Sequence, residues 1–350
     1  MRPCGTFDED YRHDMAIIRT RFQWIMLGLL LVTLLAIFPY FLSDYVLSTI
    51  NVIFITIIVV LGLNILTGYT GQISIGQAAF VGVGAYASAV LSTRLGLPFW
   101  ICLPFAILVA ALIGLIFGLP SLKLKGFYLA MSTLAAQYVI PWIIIHTPSI
   151  TFGINGCPAA SPRLGDLVIN SEREWYYLLL IFVTVGIFFA KNIARTKPGR
   201  AFVAIRDNDL AAEIMGINIF GYKILSFIIC SAYAGLAGSL LAHYQGMVVA
   251  EQFSLMSSIW YLGMVIVGGM GSIVGTIFGV VVIRGLRELV MITTPMLTTI
   301  FPVLKESLGA AMTSIGFGLV VLLFLIFEPR GLAHRWELLK NSMRIWPMPY

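Results

Sequence analysis

The residues whose types and spacing point to a task lie in one polar stretch, Gly199-Arg-Ala-Phe-Val-Ala-Ile-Arg-Asp-Asn-Asp-Leu-Ala-Ala-Glu-Ile-Met-Gly-Ile-Asn218. It sits between two long apolar runs and is flanked by Lys191, Arg195, Lys197 and Lys223. A connector between two membrane spans needs only a few residues. This one is long enough for a short amphipathic helix, with Leu210, Ile214 and Ile217 on one side and Asp209 and Glu213 near the other. Asp207 or Asn208 is the candidate cap at its start, and Gly216 the candidate stop. The basic flanks place it on the cytoplasmic side. The chemistry on offer is recognition, and two readings stand: a helix presented to a soluble partner, or one lying on the lipid headgroups.

A second group of polar residues falls inside the apolar runs and is uncharged: Asn51, Asn64, Gln72, Gln77, Ser132, Thr133 and Gln137. No Asp, Glu, Lys or Arg is expected near the centre of any span. Arg284, Arg287 and Glu288, and Lys305 with Glu306, are placed at span ends as snorkelling or paired interfacial groups. Carriers driven by protons or sodium need intramembrane charge to bind the coupling ion, so its absence argues for energy supplied from outside the membrane, or for none. Asn64, Gln72, Ser74 and Gln77, clustered round a glycine-rich break, are candidates to line a path; interhelical hydrogen bonding is the alternative for each. A second cluster, Gly268, Gly269, Gly271 and Ser272, has a similar build. Close helix packing explains such glycines, and so does an internal repeat around a transport path. His146 and His243 are read as interfacial. Cys4, Cys102, Cys157 and Cys230 show no metal-type spacing, and Cys157, in a loop, is expected to be an exposed thiol. No phosphate-binding loop, nucleophile elbow or zinc motif occurs, so no catalytic or metal site is expected and the chain hydrolyses no ATP by itself.

These residues need an apolar framework to hold them. The chain has 350 residues, 59% hydrophobic and 11% charged; ordinary soluble domains carry about 25% charge, so this is an all-α polytopic membrane protein. Runs of about 20 apolar residues mark the spans. They fall at 23–42, 46–66, 74–93, 97–119, 126–147, 175–190, 222–243, 256–283, 288–304 and 309–327, about ten in all, with 256–283 long for one span and its Gly268–Ser272 core pointing to a break or to close packing within it. The N-terminal run is too long for a cleaved signal and is read as a retained first span. Basic residues in the 1–22 tail, at Lys123 and Lys125, in the 191–221 loop and in the 328–350 tail all fall inside if both termini are cytoplasmic. The net charge of +6 reports this orientation and no nucleic-acid partner.

Five stretches together resemble the permeases of branched-chain amino acid ABC transporters, in the family's order and over nearly the whole chain. They are Leu63 to Tyr86, Leu122 to Leu129, Gly199 to Asp209, Val267 to Ser272, and Glu328-Pro-Arg-Gly-Leu332. The likeness is to the M-type subunit. It implies a single permease domain over 1–350, in the bacterial inner membrane, with a fold related to the vitamin B12 importer and inverted repeats. It also implies a second, H-type permease, two ATPase subunits that hold ATP and Mg, and a periplasmic solute-binding protein; the chain itself holds no cofactor. The family's coupling helix maps onto Arg206, Asp207, Asn208, Asp209, Leu210, Ala211, Ala212, Glu213 and Gly216, although Ala211-Ala212-Glu213 replaces the usual Glu-Ala-Ala order. The run Ala135 to Trp142 departs from the family in having aromatics and no acid, which adds Gln137 and Tyr138 to the path candidates. That departure keeps urea, short amides and aromatic or aliphatic carboxylates open beside branched-chain amino acids. A passive channel for a small neutral solute and a membrane scaffold are the rival classes.

Overall fold

A computed structural model describes residues 25, 28, 32–121, 127–164, 167–300, 308–328 and 330–345. The predicted tail 1–22, the basic turn at Lys123 and Lys125, and the Lys305–Glu306 pair lie outside the described residues, as does part of the first predicted span.

The chain is helical almost throughout. In order come α1 (Asp44–Leu63), continued by a wider π-helical turn (Asn64–Tyr69), then α2 (Gln77–Arg94), α3 (Phe99–Ser121) and α4 (Phe127–His146). They are followed by α5 (Glu172–Arg195), α6 (Lys197–Asp207), α7 (Asp209–Ile214) and α8 (Ile219–Gln245). The last are α9 (Leu255–Gly268), α10 (Ile273–Ile300), α11 (Leu308–Phe327) and α12 (Gly331–Ile345). Among the described residues four stretches are long and apolar enough to cross a bilayer: Asp44–Tyr69, Phe99–Leu119, Glu172–Arg195 and Ile219–Gln245. Three shorter apolar helices accompany them.

Helix α8 is the central post, packed against α1, α2 and α3. Small residues make this possible: a Cβ on Gly84 would lie 2.4 Å from the Cα of Gly235, so the backbones of α2 and α8 touch directly. Lipid is as apolar as leucine, so such contact, rather than a hydrophobic drive, holds membrane helices together. Polar side chains add crosslinks. The amide of Asn51 donates to the Glu172 carboxylate at 2.9 Å, and the Tyr244 hydroxyl donates to the same group at 2.8 Å, tying α1, α5 and α8.

Two predicted spans are redrawn. The run 256–283 breaks at Gly269–Ser272, and α10 then continues unbroken through Arg284 to Ile300, absorbing most of the predicted 288–304 span. Glycine decides the break: Gly269 and Gly271 have φ of +107° and +80°, where other residues are strained.

The loop between α4 and α5 is pinned by a short antiparallel pairing of Cys157–Pro158 with Met247–Val248. That pairing buries Cys157 completely, against the expectation of an exposed thiol. Burial pushes its thiol pKa up, partly offset by the Thr93 hydroxyl and the Arg94 charge. Since the thiolate is the nucleophile, a membrane-impermeant maleimide should label Cys157 at least tenfold more slowly in the folded protein than in detergent-denatured chain. Equal rates would contradict the buried placement.

Candidate functional site

Four of the stretches singled out above meet at one end of the bundle. The π-helical turn after α1 leaves Asn64 pointing across at the second glycine break. Its carboxamide accepts from the Gly271 backbone N–H at 2.9 Å and donates to the Ser272 carbonyl at 3.1 Å. Asn64 is 1% exposed, so this two-point contact is shielded from water. The two breaks touch directly: a Cβ on Gly68 would stand 2.3 Å from the Gly271 nitrogen. Glu328 to Leu332 closes the other side of the second break. The Gly331 N–H donates to the Glu328 carbonyl at 2.8 Å, and Gly331 packs on the backbone of Gly269.

The polar stretch joins at the same place. Arg206, at the end of α6, donates to the Gly68 carbonyl at 3.0 Å and pairs with Asp207 at 2.9 Å. It lies over Gly71 and beside Gly271, so its guanidinium touches both breaks. Phe202 and Ile205 root α6 in the core, with the Phe202 ring edge-on to Tyr222 of α8.

The predicted short amphipathic helix is α7, and a separate helix, α6, precedes it. Asn208, extended at φ −160° and ψ 107°, separates α6 from α7 and caps α7 by accepting from the Ala211 N–H at 3.1 Å. Of the two cap candidates, Asn208 does the work. Gly216, at φ +82°, stops α7, with Ile217 N–H donating to the Ala212 carbonyl and Gly216 N–H to the Glu213 carbonyl. Ala212 is the buried member, 4% exposed. Leu210, Ile214 and Met215 stand out at 60%, 86% and 82% exposure. Met215 takes the outward place expected of Ile217, which is partly covered. The result is a short apolar tip on a capped helix, tied through α6 and Arg206 to both breaks.

The remaining path candidates sit in different settings. Gln77 donates to the Val59 carbonyl and accepts from the Cys230 thiol. Gln137 accepts from Ala79 N–H and Ser258 hydroxyl and donates to the Phe253 carbonyl. Both are buried crosslinks between helices. Gln72 donates to the Ser226 hydroxyl at 2.9 Å, while its carbonyl oxygen and the Ser74 hydroxyl are buried with no partner among the described residues. Tyr138 faces outward, 62% exposed, and Ser272 caps the first turn of α10 by accepting from Gly275 N–H.

One charged cluster, Arg284, Arg287 and Glu288, sits where sequence reasoning did not expect it. Because α10 starts at Ile273, Arg284 lies about 17 Å along its axis, in the middle of the helix and beside Thr56 of α1 rather than at a helix end. Arg284 donates to the Thr56 hydroxyl at 2.9 Å, and Glu288 accepts from the Tyr45 hydroxyl at 2.8 Å. Both line a cavity of about 470 Å³ between α1, α8, α9 and α10. The signal that locates it is the Gly268–Ser272 run, which in sequence reads as a break or as close packing and which the structure resolves as a break.

Comparison with known proteins agrees with this architecture. The description "Branched-chain amino acid transport system / permease component" matches residues 45–325. The chain is 32% identical over 334 residues to the high-affinity branched-chain amino acid transport system permease protein LivM of Salmonella typhimurium, covering 89% of this chain and 75% of that one. The Escherichia coli LivM is 31% identical over the same shares. A probable branched-chain amino acid transport permease protein LivH of Methanocaldococcus jannaschii is 27% identical over 248 residues, 65% of this chain and 75% of its own. No solved structure matches. With the family description spanning three of the four motif stretches that meet at the two breaks, and the M-type relatives aligning over most of their length, the chain belongs to the permease family of the branched-chain amino acid transport systems.

Proposed function

We propose that this chain is the M-type membrane subunit of an ATP-driven, binding-protein-dependent importer for branched-chain or related amino acids. In this reading the whole chain is one permease domain of about ten spans in the bacterial inner membrane, with the B12-importer type of fold and both termini cytoplasmic. An H-type permease completes the path, a periplasmic binding protein delivers the solute, and two ATPase subunits hold ATP and Mg. The similarity to both M-type and H-type relatives supports a paired permease.

The observation that carries the proposal is the α7 tip. Leu210, Ile214 and Met215 form an apolar projection on an otherwise polar loop, where burial against a partner gains about 1.5–3 kcal/mol for each large side chain. In this reading Arg206 and Asn64 convert movement of that tip into movement of the two glycine breaks, because Arg206 holds the Gly68 carbonyl and Asn64 holds Gly271 and Ser272. A passive channel needs no such projection.

The test is uptake. The chain, co-expressed with its H-type and ATPase partners and reconstituted in vesicles with the binding protein, should accumulate L-leucine only when ATP is present. Equal equilibration with and without ATP would replace the importer with a channel.

A further inference from the structure

The charged cavity is absorbed by none of the above. In the middle of a largely apolar helix an Arg is costly unless it faces a cavity and meets a partner. Arg284 satisfies only part of this requirement. One terminal nitrogen donates to Thr56, yet its Nε is buried without a hydrogen-bond partner. Among the described residues no carboxylate lies within ion-pair distance of Arg284 or Arg287. Glu288, one helical turn on, accepts from the Tyr45 hydroxyl. The cavity, also edged by Tyr261 and Gln252, therefore holds two guanidinium groups and one carboxylate, a net charge of +1. Its volume of about 470 Å³ lies within the range for small-ligand pockets. Gln245 and Gln252, at the end of α8 and in the loop after it, place its mouth toward the face opposite the α7 tip.

We propose that this cavity is a station on the translocation path that holds the carboxylate of the passing solute on Arg284 and Arg287, with Glu288 beside its ammonium group. The proposal rests on the importer reading for its solute, a zwitterionic amino acid. A guanidinium fork suits a carboxylate, which can accept two hydrogen bonds from it. The Glu288 carboxylate offsets the second cation and gives the site a dipole that orients a zwitterion.

Two readouts test it in the reconstituted transporter carrying Thr49→Cys at the cavity wall. The anionic sulfonatoethyl methanethiosulfonate should modify that cysteine at least fivefold faster than the cationic trimethylammonium reagent, after correction for their rates with a free thiol. Arg284→Gln should erase the preference and lower L-leucine uptake at least tenfold while ATP hydrolysis continues; Arg284→Lys should keep the preference and part of the uptake. If Arg284→Gln fails to fold, the more exposed Arg287→Gln carries the same expectations. Wild-type uptake in the Gln variant overturns the proposal. So does lost uptake with the charge preference intact, which assigns Arg284 to packing. An anionic preference seen only in the isolated chain also overturns it, since a carboxylate of the second permease then fills the site. Absence of ATP-driven uptake in the parent would instead fail the importer reading and leave the labelling result to stand.

Discussion

Replacing Ile214 and Met215 together by glutamate should release the ATPase pair and abolish ATP-driven uptake without unfolding the membrane part. Both side chains are more than four-fifths exposed and touch nothing essential to the bundle. Surface changes of this kind ordinarily alter stability by no more than about 0.5 kcal/mol. At a docked interface the same two side chains contribute about 3–6 kcal/mol by burial. Since about 1.4 kcal/mol is a factor of ten, the loss amounts to two to four orders of magnitude in affinity, and stranding two carboxylates in an apolar contact makes it worse. Copurification of the ATPases in detergent, uptake in vesicles and the thermal midpoint of the membrane subunit are the three measurements. Retained copurification with normal uptake would remove the tip from the mechanism. Ala212→Arg is a poorer probe of the same contact, because Ala212 is buried under α7 and the larger side chain would dislodge the helix itself.

The tip transmits force only if it is stiff, and its construction answers that. Six residues are too few for an isolated helix to persist in water. Here the Asn208 cap, the Gly216 stop and the buried Ala212 hold α7, while Phe202 and Ile205 anchor α6 beneath it. Arg206 then couples the pair to Gly68. Its ion pair with Asp207 is exposed and contributes little by itself. The hydrogen bond to the Gly68 carbonyl is the connection that reaches into the membrane.

How much of this was legible follows a physical line. Local features could be read: the cap at Asn208, the stop at Gly216 and the glycine clusters at both breaks are set by a few consecutive residues. What the clusters meet could not be read, because Asn64 and Gly271 are brought together only by the packing of whole helices. The α10 error has a different origin. A hydropathy window ends a span at charges, so Arg284, Arg287 and Glu288 were taken as its boundary. Backbone conformation sets the true boundary at Gly269 to Ser272, 12 residues before Arg284. Charges inside a membrane helix are tolerated when they face a cavity, which no window reports. Ile217 was misplaced because a 3.6-residue period was carried past the point where α7 ends.

Asn64→Leu should break the link between the two breaks and uncouple hydrolysis from transport. Leucine matches asparagine in its number of side-chain heavy atoms but carries no polar group, so the hydrogen bonds are lost, and its two methyls add bulk against Gly68 and Gly271 that works in the same direction. The Gly271 N–H and the Ser272 carbonyl would be left buried and unpaired, at about 1–3 kcal/mol each. That cost falls on the arrangement in which the breaks touch, and the separated arrangement is correspondingly favoured. A total of about 2–6 kcal/mol shifts a two-state equilibrium by one to four orders of magnitude, enough to reverse an arrangement favoured by a few kcal/mol. The α7 tip, the ATPase contact in the proposed importer, is untouched, so ATP hydrolysis should stay within about twofold while L-leucine uptake falls at least tenfold. Asn64→Asp should fall between, since a carboxylate still accepts from Gly271 N–H but has no proton for the Ser272 carbonyl. Arg206→Met, which removes the bond to Gly68 from the other side, should uncouple in the same direction. Uptake and hydrolysis falling in parallel in all three variants would show that these contacts hold the fold together but carry no motion between the ATPases and the path.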